Sequence, residues 1–177
     1  KWGTLRGLKV VSIALGSVTL PEEDAEMIME TSQISGIDDT LRITEADLCD
    51  RAKLEIHDSI MTTGDQNADA QFTADLNGED CACNIVSRTV ARDHSKQHYT
   101  STLNGNNRCA GHTECDSILM DQAYVLATPQ LSAATTEASL IHEAAIGKIA
   151  GEQLIKLMTL GLTEEEAEEQ IISGFLK

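Results

Sequence analysis

Alternation at a period of two, broken by compact turn clusters, constrains this chain more than any other feature. Ala52, Leu54 and Ile56, then Ala70, Phe72, Ala74 and Leu76, put an apolar side chain at every second position, as Leu41 and Ile43 do before them. Successive side chains of a strand face opposite sides, so this spacing predicts strands with one buried face. Thr63–Asn67 (TGDQN), Asn77–Asp80 (NGED) and Asn104–Asn107 (NGNN) are turn signals between such runs. Further strands are expected at Lys9–Leu15, Cys81–Val86, Gln97–Leu103 and Ile118–Leu126, with a turn at Ser35–Thr40. Many short strands joined by tight turns fit a sandwich, a barrel or a β-solenoid. No sequence period selects among the three.

Two regions read as helix. In Leu20–Thr31, Pro21 and three acids stand where a helix would start, and Ile28 and Met29 would face inward. Near the end, Glu152–Leu160 sets Leu154, Leu157 and Met158 on one face, and Gly161 is a stop signal. Thr163 and Glu166 then form a capping box for a second helix, with Ala167, Ile171 and Ile172 inward and Gly174 at its end. The acid run Glu164–Glu169 suits the positive end of that helix dipole and reads as a solvated face.

At 177 residues the chain is long enough for one domain with a sizeable core. It starts at Lys1 rather than methionine, and is therefore expected to be an incomplete copy of a longer polypeptide. With aromatic residues at only 3%, the core must be built from small and branched side chains. A formal charge of −16, with 13 Lys and Arg scattered along the chain, leaves no basic stripe for nucleic acid or for an anionic membrane surface. The longest apolar run, Val10–Leu15, is too short to span a bilayer or to serve as a secretory signal. Five cysteines and no N-x-S/T acceptor point to reduced thiols and a cytoplasmic protein.

Common enzyme motifs are absent. Gly147-Lys148 is followed by Ile149, so there is no P-loop and no nucleotide is expected on this chain. His142-Glu143-Ala144-Ala145-Ile146 falls one histidine short of H-E-x-x-H, and Asp65–Leu76 lacks the glycine and glutamate of an EF-hand loop. No G-x-S-x-G elbow occurs.

What remains is a set of soft and borderline ligands between Arg108 and Glu143. Cys109 and Cys115 lie six residues apart with His112 between them, and His142 stands beside Glu143. Ala123, Val125 and Ala127, then Ala138, Leu140 and His142, alternate as strands do. Thiolate, imidazole and carboxylate together suit iron–sulfur or zinc chemistry better than magnesium or calcium. Each residue alone has a plainer role, since free cysteine packs as a small hydrophobe and a strand histidine is usually a hydrogen-bonded core residue. Cys81 and Cys83 would share one strand face, where they either pack or bind one metal. Cys49 reads as structural, and His57, His94 and His98 as surface or hydrogen-bonded residues.

The wording then becomes specific. CDS at Cys115–Ser117, the P-x-L at Pro129–Leu131, HEA at His142–Ala144, and the closing G-L-T-E-E-E-A and G-F-L occur in order. Together they resemble the C-terminal region of the SufB/SufD family, scaffold components of the Suf iron–sulfur cluster assembly machinery. The resemblance covers the last seventy or so residues closely. It implies a mainly β fold, a right-handed β-helix over 1–146 with a helical segment over 147–177 that docks an ATPase. It implies a scaffold rather than an enzyme, holding a transient iron–sulfur cluster.

Cys115 matches the family's functional cysteine, and Glu143 with His142 matches the partner positions on the following strand. Cys109 and His112 are the candidates to complete the set, and Cys81 or Cys83 would stand in for the upstream sulfur-receiving thiol. Partners implied are a SufC-like ABC ATPase, a second copy or a SufB/SufD paralogue at a shared site, a sulfur donor and apo-protein acceptors. The alternative is a SufD-like structural subunit that holds no cluster. A β-helix enzyme acting on polysaccharide is disfavoured by the scarcity of aromatic platforms.

Overall fold

The computed structural model describes residues 10–20, 25–33 and 39–177. Among the described residues ten strands precede two helices: β1 (Val10–Leu20), β2 (Glu26–Gln33), β3 (Asp39–Leu48), β4 (Lys53–Thr62), β5 (Asn67–Leu76), β6 (Cys81–Ala91), β7 (Lys96–Gly105), β8 (Cys109–Leu119), β9 (Tyr124–Ala133), β10 (Ala138–Gly147), α1 (Gly151–Met158) and α2 (Glu164–Phe175). Odd strands form one five-stranded sheet and even strands the other, in the orders β1-β3-β5-β7-β9 and β10-β8-β6-β4-β2. Each strand pairs in parallel with the strand two further on: Cys81 lies against Cys109, and Cys109 against Ala138. The chain is a β-solenoid of about 4 turns. The solenoid reading is thus selected over sandwich and barrel.

The corners explain how the rungs stack. Gly64, Asp93 and Asp121 occupy equivalent places in successive rungs, all at positive φ (61°, 58° and 55°). Aspartate tolerates that left-handed backbone better than most side chains and can hydrogen-bond locally. Here the Asp93 carboxylate accepts from the Gly64 amide (2.7 Å), and Asp121 accepts from the Asp93 amide (3.1 Å). The opposite corner repeats the device: Asp50 accepts from the Glu79 amide, and Arg51 and Asp80 share φ near 58°. Gly78 must be glycine for a steric reason, since a Cβ there would stand 2.0 Å from the Cys49 carbonyl carbon.

Between the sheets the core is narrow. Ala46, Ala68, Ala70 and Ala74 are buried, and one aromatic pair, Phe72 with Tyr99, fills the middle at 5.7 Å between ring centroids. That matches the expectation of a core of small side chains. Polar groups also enter it. Asp58 is buried and pairs with Arg42, accepts from Thr31, and lies 3.4 Å from the Ser87 hydroxyl.

Several expectations are corrected. The helix over Leu20–Thr31 is not formed: Leu20 ends β1, and Glu26–Gln33 is β2; residues 21–24 lie outside the described residues. Met27 and Met29 pack against the core and the strand is laddered to β4, whereas Ile28 is 68% exposed. A paired ladder with one face buried outweighs the local helix-start signals. Ile118–Leu126 is not one strand, because the turn around Asp121 separates β8 from β9. Leu41 and Ile43 alternate as expected, but Thr44, Ala46 and Leu48 are the buried set of β3. The turn expected at Ser35–Thr40 falls mostly on 34–38, outside the described residues, and Thr40 is already in β3.

The helical end follows the reading closely. Gly161 sits at φ 99°, and the Thr163–Glu166 capping box is formed with both reciprocal hydrogen bonds. Ala167 and Ile172 are buried, and α2 runs through Gly174 to Phe175. It rests on the solenoid: the Ser59 hydroxyl donates to the Leu176 carbonyl (3.0 Å), and Arg92 lies 3.9 Å from Glu168. By contrast α1 has no buried residue: Ile155 within it is 63% exposed, and Leu160 just beyond it 76%. Neither helix is long and apolar enough to cross a membrane.

Candidate functional site

Register and alternation decide which chemistry-bearing side chains can meet. On β8, Cys109, Thr113, Cys115 and Ser117 are buried in the interior, while His112, Glu114 and Asp116 alternate to the outside. On β10, Ala138 and Leu140 pack against the core, which puts His142 on the inner side and Glu143 on the outer. The ladder aligns His142 with Thr113, Glu143 with Glu114 and Ala144 with Cys115. The sheet therefore divides the predicted ligands into two groups. Cys81, Cys83, Cys109, Cys115 and His142 face inward; His112 and Glu143 face outward.

Inside, Cys115 closes a row that runs through four strands of one sheet: Thr31, Asp58, Ser87 and Cys115 are in register. Burial pushes its thiol up to about 11, against which the Ser117 hydroxyl at 3.9 Å pulls weakly. His142 is its diagonal neighbour on the next strand, a separation of roughly 7–8 Å between such positions. The His142 Nδ1 is buried with no hydrogen-bond partner among the described residues. Cys81 and Cys109 are paired across β6 and β8, with Cys83 two residues along the same face. Burial raises Cys81 to about 11 and Cys83 to about 12, each with a neighbouring cysteine adding to the effect.

Three thiols held above their ordinary value of 9.0 make the fold sensitive to alkali. Above pH 9 the unfolded chain loses these protons and the folded chain keeps them, so stability falls as pH rises. The slope is about 1.4 kcal/mol per thiol for each pH unit until the folded values are reached. Urea midpoints measured from pH 8 to 10.5 should fall steeply above 9. In a triple Cys81→Ala, Cys83→Ala, Cys115→Ala variant that fall should be largely gone.

Outside, the geometry is different. His112 Nδ1 lies 2.8 Å from the Asn84 side-chain oxygen, and its Nε2 is 3.6 Å from a Glu143 carboxylate oxygen. Glu114 joins them: one donor atom from each of His112, Glu114 and Glu143 lies within 4.8 Å of the others. A hydrogen bond with Asp116, then burial, holds the Glu114 carboxyl above the usual range. Glu114 and Asn84 escaped the sequence reading. Glu114 was within reach of it, because it lies two residues past His112 and so shares its strand face.

The model of the SufBD core domain of SUF-system FeS cluster assembly matches residues 20–175. The chain belongs to the SufBD family. An iron–sulfur cluster assembly SufBD family protein of Methanothermobacter thermautotrophicus is 41% identical over 103 residues, which are 57% of this chain and 25% of that protein. A SufBD family protein of Pyrococcus horikoshii is 35% identical over 132 residues, 74% of this chain and 40% of that protein. The iron–sulfur cluster assembly protein SufB of Bacillus subtilis is 34% identical over 97 residues, covering 52% and 21%. The chain thus spans less than half of each of these SufBD relatives. The SufB/SufD resemblance read from CDS, HEA and the closing helix is borne out at the level of the family.

Proposed function

We propose that the chain acts as a SufB-like scaffold, on which an iron–sulfur cluster is built and from which it passes to apo-proteins. One observation carries this reading: Cys115 and His142 face the same interior space one strand from the end of the solenoid. There β9 and β10 each have a single ladder neighbour among the described residues. Tyr124, Leu126, Leu131, Ile141 and Ile146 are exposed on these two strands. An apolar strand edge without a partner is a template for pairing. A second copy or a SufB/SufD paralogue seated there would complete the ligand set, since Cys115 is the one cysteine beside His142 among the described residues. Thiolate holds iron firmly, and imidazole supplies a more exchangeable ligand suited to release.

The SufBD reading extends to a SufC-like ABC ATPase docked on residues 147–177. Its support is the apolar surface at Ile155, Met158 and Leu160, which the solenoid leaves uncovered. Deleting Glu152–Lys177, with the strands still folded by circular dichroism, should abolish co-purification with that ATPase; unchanged capture would refute this docking surface. A sulfur donor and apo-protein acceptors complete the partners proposed. The scaffold itself is tested by anaerobic reconstitution with iron and sulfide, read by absorption and Mössbauer spectra. Cluster signals are expected, and their absence from folded, dimeric protein would overturn the proposal.

A second reading has its own support. Cys115 is fully buried and protonated at neutral pH, and Glu143 stands on the opposite face. Those facts favour a SufD-like structural subunit that holds no cluster.

A further inference from the structure

We propose that the outer face of β6, β8 and β10 binds one divalent transition-metal ion through His112 Nε2 and the carboxylates of Glu114 and Glu143. Ferrous iron and its chemical neighbours cobalt and zinc are the class intended. This is a mononuclear, sulfur-free site, separated by the thickness of the sheet from Cys115.

The first support is the setting of His112. Asn84 presents its side-chain oxygen at 2.8 Å from Nδ1, which suits a tautomer protonated there and leaves Nε2 available as a ligand. Nε2 lies 3.6 Å from a Glu143 oxygen. That is too long for a hydrogen bond. A cation fits between the two atoms. Two ligands at about 2.1 Å from one tetrahedral ion stand about 3.4 Å apart, close to the spacing found. Glu114 brings a third donor atom within 4.8 Å of both.

The second support is the support structure. Strand positions fix the three ligands, and Asn84 orients the histidine from the neighbouring strand, as an outer-shell partner orients a metal-bound imidazole. One imidazole with two carboxylates suits iron(II), cobalt(II) or zinc(II); magnesium and calcium prefer oxygen alone. Three protein ligands leave a position open, which marks an exchanging site rather than a closed structural one. That the ion held here is iron on its way into a cluster rests on the scaffold reading above. The binding does not.

The test is titration of the protein with cobalt(II) under anaerobic conditions, followed by visible d–d absorption and by calorimetry, then repeated with iron(II). One equivalent should bind, and excess magnesium should not displace it. His112→Gln and Glu143→Gln should each weaken binding at least tenfold, and Asn84→Ala by about tenfold. Cys115→Ser should leave the cobalt spectrum and affinity unchanged. These side chains are outside the core, so the variants are expected to fold, checked by circular dichroism. No specific cobalt binding, or affinity unmoved by His112→Gln and Glu143→Gln, overturns the site and leaves an ion pair of His112 with Glu143. Loss of binding in Cys115→Ser also overturns it, because the metal would then be held by thiol. If reconstitution yields no cluster while cobalt still binds here, the scaffold reading fails and this site stands.

Discussion

Asp58→Ala is expected to cost about 3–5 kcal/mol of folding stability, the size seen when one partner of a buried ion pair is removed. The Asp58 side chain is 0% exposed and its partner Arg42 is 16% exposed. Three groups converge on the carboxylate: the Arg42 guanidinium, the Thr31 hydroxyl and, at 3.4 Å, the Ser87 hydroxyl. Deleting it strands the guanidinium inside the solenoid, 5.5 Å from the Phe72 ring centre. The ring face offers some compensation, of the order of 1 kcal/mol, which does not replace a carboxylate. Thr31→Val removes one hydrogen bond to the carboxylate and leaves the ion pair, and should cost less, about 1.5–3 kcal/mol. Urea unfolding of both variants measures the difference. A loss below about 1 kcal/mol for Asp58→Ala would mean that water reaches the pair and that this row is not a dry core.

Cys115→Ser should eliminate the cluster signals in anaerobic reconstitution while leaving the fold in place. Serine is close to cysteine in size, and the neighbour 3.9 Å away is already a hydroxyl, Ser117. What changes is the chemistry: a buried hydroxyl does not ionise at working pH, whereas the thiol can give up its proton to iron. With that thiol pushed up to about 11, binding through it must release a proton. Loading of the wild type should therefore rise with pH, by up to about tenfold in affinity per unit between pH 7 and 9. Serine at 115 would have no such dependence. Absorption and Mössbauer spectra collected at pH 7, 8 and 9 decide the matter. Clusters that persist in the serine variant would remove Cys115 from the ligand set, and clusters in neither protein would move the assignment to the SufD-like structural role.

The strands were most legible where one face is sealed by apolar side chains. Ala70, Phe72, Ala74 and Leu76 could face only inward, and they do. In β3 the same alternation misled, because Arg42 and Thr44 take the inner side, where Arg42 pairs with Asp58, while Leu41 and Ile43 lie on the other face. In β2 the helix-start residues around Pro21 spoke louder than the alternation of Met27 and Met29. The repeat itself was hidden, since equivalent corners share a backbone conformation without a fixed residue, as Gly64 against Asp93 and Arg51 against Asp80 illustrate. For the site, sequence supplied candidate residue types. It could not supply their sides, because those depend on how Ala138–Gly147 aligns with Cys109–Ile118. Only that alignment separates Glu143 from Cys115 and brings Glu114 forward.

The stacked corners also set the grain at which such a chain can be altered. Corner aspartates cap a neighbouring rung, Asp93 and Asp121 the one before and Asp50 the one after, so the natural unit of insertion or deletion is a whole rung, the step from Cys81 to Cys109. A duplicated rung would extend the molecule by about 4.8 Å and leave each side chain on its own face. A single residue added within β8 would instead invert everything beyond it, turning Cys115 to the solvent and Glu114 to the core. Growth by rungs is neutral to the chemistry of the two faces, while drift by single residues in the strands is not.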